Sequence, residues 1–162
     1  MKKSVYIESS IPSYLTARLS RDIRTAGWQQ VTMQWWDECR CEYDLFTSEL
    51  VIAEISAGDE EAVERRLRAM DGINELPIDD AVETLAEELI KRGALPNTAQ
   101  ADAIHISVAA IQEIDYLLTW NCRHINNAAM KPAMRTACAD LGCCCPEICT
   151  PLELLGKESG DV

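Results

Sequence analysis

SVYIESSIPSY, residues 4–14, carries a β-branched and aromatic run directly into a carboxylate, then two serines, an isoleucine and a proline. Ser4–Ile7 has the composition of a short strand, and Pro12 suits the first turn of a helix predicted over residues 11–20. Glu8 therefore stands where a strand stops. A glutamate there is by default a surface group or a helix N-terminal charge, and only its neighbours in the fold can give it chemistry.

Strand-like and helix-like runs alternate beyond this point. Trp28, Val31, Trp35 and Cys39 recur at helical spacing and predict a helix near residues 26–41 with one buried stripe. YDLFT (43–47) reads as a second strand, Ser48 caps a helix through Ile55 that stops at Gly58, and Asp59 opens another to Met70. INEL (73–76) is a third strand ending at Pro77, and Ile78, Val82, Leu85 and Leu89 mark a helix that ends at Gly93. A helix over 97–113, capped by Asn97 or Thr98, precedes YLLTW (116–120), the most apolar strand candidate. A helix near 127–140, a last strand around Cys144–Cys149 and a short helix from Pro151 complete the series.

This alternation predicts a three-layer α/β/α sandwich with a central, mostly parallel five-stranded sheet. Open parallel sheets collect ligands at the carboxyl ends of their strands, where strand order reverses. Glu8 and Asn121, each following a predicted strand, mark such ends. The 162 residues suit a single domain over residues 1–156 followed by a short polar tail, 157–162.

The formal net charge of −12 counts against a general DNA-coating role, but it is compatible with an acidic pocket for divalent cations and a local basic rim for phosphates. Lys2 and Lys3 are followed by too short an apolar run for a signal-peptide core or a spanning helix, so a cytoplasmic location and no membrane association are expected. In that compartment the eight cysteines read as reduced thiols. Five of them, Cys138, Cys143, Cys144, Cys145 and Cys149, crowd one segment without a CxxC pair, which argues against structural zinc and leaves a thiol or zinc protein as a lesser alternative.

Two further carboxylates sit in apolar company, Glu54 in LVIAEISAG and Asp102 in AQADAIHISVAA, where helical periodicity leaves little room for a solvent-facing charge. Taken singly, Glu54 reads as a partly exposed helix residue and Asp102 as a buried acid paired with Lys or Arg; taken with Glu8 and Asn121, they are the donors that one divalent metal would satisfy together. Oxygen-rich sets of this kind suit Mg²⁺ or Mn²⁺, ions that lower the pKa of a water and neutralise charge developing on a phosphodiester.

In order along the chain, VYIESSIPSYL, TSELVIAEI, ADAIHISVAA, YLLTWNCRHI and CTPLELL resemble the PIN-domain family, in particular its VapC-like toxin branch. The resemblance, from about residue 4 to 155, implies an endoribonuclease dependent on Mg²⁺ or Mn²⁺ that hydrolyses phosphodiesters with metal-activated water. Such a toxin is neutralised by a small antitoxin protein. By position the resemblance makes Glu8, Glu54, Asp102 and Asn121 catalytic, with Glu8, Asp102 and Glu54 as metal ligands. Two positions depart from the family pattern: Glu8 stands where aspartate is usual, its extra methylene moving the carboxylate outward, and Asn121 stands where a fourth aspartate is common. A PIN-like RNA- or protein-binding module with weakened catalysis is the alternative that these departures raise.

Ser10 is a candidate to hydrogen-bond a carboxylate or substrate, with helix capping as its ordinary role. Arg18, Arg21 and Arg24 follow Glu8, while Arg123, Lys131 and Arg135 follow Asn121, so both groups are placed to rim one crevice and hold an RNA backbone. His124 is a candidate to touch phosphate or Asn121, whereas His105 reads as a core histidine. Trp28, Trp35 and Trp36 read as core or as the surface of a homodimer.

Overall fold

Val5, Tyr6 and Ile7 are consecutive in the first strand, β1 (Lys3–Ile7), and all three are fully buried. Successive side chains of a strand point to opposite faces, so this strand has protein on both sides and lies at the centre of a layered structure. The computed structural model describes residues 1–156; the polar tail expected at 157–162 lies outside the described residues.

Four more strands join β1: β2 (Tyr43–Ser48), β3 (Asn74–Leu76), β4 (Tyr116–Leu118) and β5 (Glu147–Cys149). All pairings are parallel, in the order β3-β2-β1-β4-β5. The chain therefore builds outward from β1 on one side and then crosses to β4 on the other, so order reverses at β1. That is the switch point at which an open α/β sheet leaves a crevice at its carboxyl edge. Val5, Tyr6 and Ile7 face Tyr116, Leu117 and Leu118 in register, and the pairing is extended by the Glu8 N–H, which donates to the Leu118 carbonyl at 3.2 Å. Glu8 is thereby set beside Thr119.

Seven α-helices are present among the described residues: α1 (Ser10–Thr16), α2 (Ile23–Glu38), α3 (Glu49–Ile55), α4 (Glu60–Ala69), α5 (Asp80–Lys91), α6 (Gln100–Ile111) and α7 (Lys131–Asp140). Their starts follow local chemistry. Ser48, Asp59 and Asp79 each accept a backbone N–H from the first turn of α3, α4 and α5, and Gly93 ends α5 region with a φ of 71° that a glycine adopts without strain. Several boundaries differ from the sequence expectation: α2 runs Ile23–Glu38 rather than 26–41, and β5 spans only Glu147–Cys149. The first helix ends at Thr16 rather than residue 20; α6 starts after Ala99, with neither Asn97 nor Thr98 as its cap; and α7 starts at Lys131 rather than 127. In the last case Asn127 turns the chain before the helix, its carbonyl accepting the N–H groups of Met130 and Lys131.

The predicted tryptophan stripe is displaced around α2. Trp35, Trp36 and Cys39 are buried together with Gln29 and Thr32, whereas Trp28 and Val31 are half-buried. Trp28 instead stacks on Trp120 at 5.2 Å between ring centroids and an interplanar angle of 11°, and the Trp120 indole donates to Thr32 Oγ1 at 2.7 Å. This clamps α2 against the chain leaving β4. No helix among the described residues is long and apolar enough to cross a membrane.

At the opposite, amino edge of the sheet, Asp115 ties the start of β1 to the start of β4. Its carboxylate accepts from Lys3 Nζ at 2.6 Å and from the Ser4 N–H at 2.9 Å. The Lys3 ammonium, with the Ser4 N–H, holds the Asp115 carboxyl below the usual carboxylate range. A carboxylate whose folded pKa is depressed adds stability above its unfolded pKa of about 3.9, and that contribution is lost as pH falls through the folded value. Asp115→Asn is therefore expected to lower the thermal midpoint at pH 7 and to lose part of that difference below about pH 4; equal differences at both pH values in thermal melts would contradict this assignment.

Candidate metal centre at the carboxyl edge

The end of β1 delivers Glu8 with only 5% of its surface exposed. Its carboxylate accepts four hydrogen bonds. Ser9 Oγ donates to Oε1 at 2.7 Å, while the Ser10 N–H at 3.1 Å, the Ser10 hydroxyl and Thr119 Oγ1 at 2.7 Å donate to Oε2. The extra methylene thus does not carry the carboxylate outward, as expected from sequence; it folds back onto donors at the start of α1 and just after β4. Three donors crowd Oε2 and one reaches Oε1, which leaves Oε1 with acceptor capacity to spare.

Ser10 is the junction of this arrangement. Its hydroxyl donates to Glu8 and accepts the Trp120 N–H at 2.8 Å, joining the ends of β1 and β4. Its side chain is thereby engaged within the protein and holds Glu8 in place. Ser9 and not Ser10 occupies the N-cap position of α1, and no side chain caps that helix.

Glu54 comes from α3, whose buried residues are Val51 and Ile55. The glutamate projects from the more open face with 35% of its side chain exposed, so the apolar neighbours in sequence do not enclose it as expected. A helix of seven residues buries only a narrow stripe, and Glu54 lies just outside it. Its Oε1 is 2.6 Å from His105 Nε2. His105, on α6, is buried, and its other ring nitrogen lies 2.8 Å from the Tyr6 hydroxyl. Tyr6 in turn meets Ser48 Oγ at 2.7 Å. Burial, reinforced by the charges of Glu8 and Glu54, pushes the Tyr6 pKa far above its usual range, so the phenol keeps its proton.

One ligand atom from each of Glu8, Glu54 and His105 lies within 4.8 Å of the others. Neighbouring ligands around a six-coordinate divalent ion stand about 3 Å apart and opposite ones about 4.2 Å, so the three donors are gathered on the scale of a single cation site. Two carboxylates and an imidazole offer two charges and a borderline-soft nitrogen. Among the described residues no other group of three His, Cys, Asp or Glu residues converges in this way.

Asp102, one helical turn before His105 on α6, stands next to this group and is differently engaged. Asn121 Nδ2 donates to Oδ1 at 3.0 Å, and His124 Nδ1 lies 2.8 Å from Oδ2. Asn121 also accepts the His124 N–H at 3.1 Å, and its own N–H donates to Thr119 Oγ1 at 2.9 Å. A continuous network therefore runs from Asp102 through Asn121 and Thr119 to Glu8. The structure brings Glu8 and Glu54 together, and it sets Asp102, Asn121 and His124 beside them as a second cluster.

His105 is the member that sequence reasoning set aside. Its signal was present: a polar residue three positions after Asp102 on a helix buried from Ala103 to Ala110 apart from Ile104, and a tyrosine at the centre of the most buried strand. Arg18 and Arg123 are exposed and pair with no carboxylate among the described residues, whereas Lys131 donates to the Ile148 carbonyl at 2.9 Å and Arg135 lies 3.5 Å from Glu147. Only part of the expected basic rim is therefore uncommitted. Of the crowded cysteines, Cys138 and Cys149 are buried and Cys144 is exposed. Burial pushes the Cys149 thiol up to about 12 and Cys143 up to about 11, which keeps both protonated at neutral pH.

A protein-family model described as PIN domain matches residues 5–128, a span that contains every residue of both clusters. No curated protein and no solved structure matches the chain. The family match covers well over half of the sequence, and the all-parallel five-stranded sheet with acidic residues at its carboxyl edge agrees with it. The chain belongs to the PIN-domain family and has the nuclease-type fold of that family.

Proposed function

We propose that the protein is a metal-dependent endoribonuclease, and that it acts as the VapC-like toxin of a toxin–antitoxin pair. The observation that carries the nuclease reading is the convergence of Glu8, Glu54 and His105 within 4.8 Å at the switch point of a PIN-family sheet. The ordered sequence motifs support the toxin assignment. The net charge of −12 is complementary to a cationic segment of a small antitoxin.

In this reading Glu8 and Glu54 hold the divalent cation, Mg²⁺ or Mn²⁺. When bound, the cation supplies Lewis acidity toward a phosphodiester and a water of lowered pKa. Ser9, Ser10 and Thr119 fix the Glu8 carboxylate so that it does not have to be ordered when the cation arrives. Asp102 holds Asn121 and His124, and these present an amide and an imidazole toward the substrate side. Arg18 and Arg123, both exposed and without carboxylate partners, meet the RNA backbone, while Trp28 and Trp120 serve the core through their stack.

RNA cleavage by the purified protein with Mn²⁺ or Mg²⁺ is the direct test. Activity is expected to vanish on chelation and to fall by about 100-fold or more in Glu54→Gln and in Asp102→Asn. Cation binding with no cleavage of any RNA would replace this reading with that of a binding module. Ser10→Ala, which releases both Glu8 and the Trp120 N–H, is expected to lower the rate about 10-fold to 100-fold at a fixed cation concentration; an unchanged rate with normal melting would deny Ser10 its positioning role. R18A and R123A are expected to weaken RNA binding uniformly across sequences and to reduce the slope of log affinity against log salt by about 0.7 each. A slope unaltered in the double variant would remove these arginines from the interface. Growth arrest on expression, relieved by the product of an adjacent reading frame, tests the toxin assignment separately.

A further inference from the structure

His105 brings to the crevice a nitrogen that an all-oxygen magnesium site would not need. Its ring is fixed from behind: Nδ1 meets the Tyr6 hydroxyl at 2.8 Å, and Tyr6 meets Ser48 at 2.7 Å, a chain wholly inside the protein. Nε2 faces the other way, toward Glu54, with a Glu8 oxygen in the same group. Metal-ligating histidines commonly have this arrangement, with the outer ring nitrogen hydrogen-bonded so that tautomer and ring orientation are set.

The hydrogen-bond chain accommodates both states of the ring. With Nε2–H donating to Glu54, Nδ1 accepts from the Tyr6 O–H, which itself accepts from the Ser48 hydroxyl. With both hydroxyls turned, Tyr6 donates to Ser48, Nδ1–H donates to Tyr6, and Nε2 presents its lone pair to the crevice. The change requires one proton to leave Nε2 and one to be held on Nδ1, with the heavy atoms in place. Glu54, which is exposed, and Glu8 supply the two carboxylate neighbours.

We infer that His105 Nε2 is a metal ligand beside Glu8 and Glu54, and that the centre takes a divalent first-row transition-metal ion in preference to Mg²⁺. This rests on the cation position proposed above and does not depend on cleavage. Magnesium gives up its waters reluctantly and takes oxygen donors, whereas imidazole suits the first-row ions.

Mn²⁺ added to the metal-free full chain is the probe. Calorimetry is expected to show Mn²⁺ binding at least about 10-fold tighter than Mg²⁺, and pulsed paramagnetic resonance is expected to show strong coupling of bound Mn²⁺ to one imidazole nitrogen. The coupling is expected to disappear in His105→Gln. Tyr6→Phe, which keeps the ring but removes its hydroxyl, is expected to weaken Mn²⁺ about 10-fold while leaving Mg²⁺ affinity unchanged. Bound Mn²⁺ without nitrogen coupling in the unmodified protein would overturn the inference, as would equal affinity for the two ions. Because the unmodified protein supplies both measurements, the outcome stands even if His105→Gln fails to fold. Nitrogen coupling without RNA cleavage keeps the ligation and removes the nuclease reading; cleavage with an all-oxygen manganese signal does the reverse.

Discussion

The carboxylate of Glu8 sits where only 5% of the residue meets solvent, and taking such a group out of water is costly unless donors replace the lost hydration. Here the donors are Ser9, Ser10 and Thr119, and they come from two different places in the chain. The requirement to satisfy this one group brings the start of α1 against the end of β4. Ser10 closes the contact by taking the Trp120 N–H, and Asn121 follows by donating to Thr119. Much of the crevice geometry can be traced outward from that single side chain.

The parallel sheet supplies the other half. A strand order that reverses at β1 leaves the carboxyl ends of β1 and β4 side by side with their following loops diverging. Residues 111 positions apart, Glu8 and Thr119, then lie within hydrogen-bonding distance. Helices α3 and α6 contribute Glu54 and His105 from different parts of the chain, so the donor set exists only in the folded protein. The family membership gives this edge its nuclease context, and the imidazole of His105 joins the two glutamates there.

What could be read from the sequence follows the range of the interactions. Strand positions and the Ser48 and Asp59 caps depend on neighbouring residues, and they were legible because composition and spacing encode them directly. The end of α1 and the start of α7 were not, since a helix boundary between two acceptable turns is decided by packing. Glu8, Glu54, Asp102 and Asn121 were legible as candidates, but their grouping was not. Apolar periodicity suggested that Glu54 was enclosed, and a helix as short as α3 leaves it open. His105 was hidden for a different reason: its partners Tyr6 and Glu54 lie 99 and 51 residues away, so nothing local distinguishes it from a core histidine.

Helix α6 carries Asp102 and His105 three residues apart, a rise of about 4.5 Å along its axis. One residue faces the Asn121 and His124 cluster, the other faces Glu54 and Tyr6. The two clusters are thus mounted on a common rigid ruler whose spacing is fixed by backbone hydrogen bonds. A slide or rotation of α6 cannot adjust one cluster while leaving the other untouched, so the core packing beneath this helix sets the alignment between the Glu54 side of the crevice and the Asn121 side.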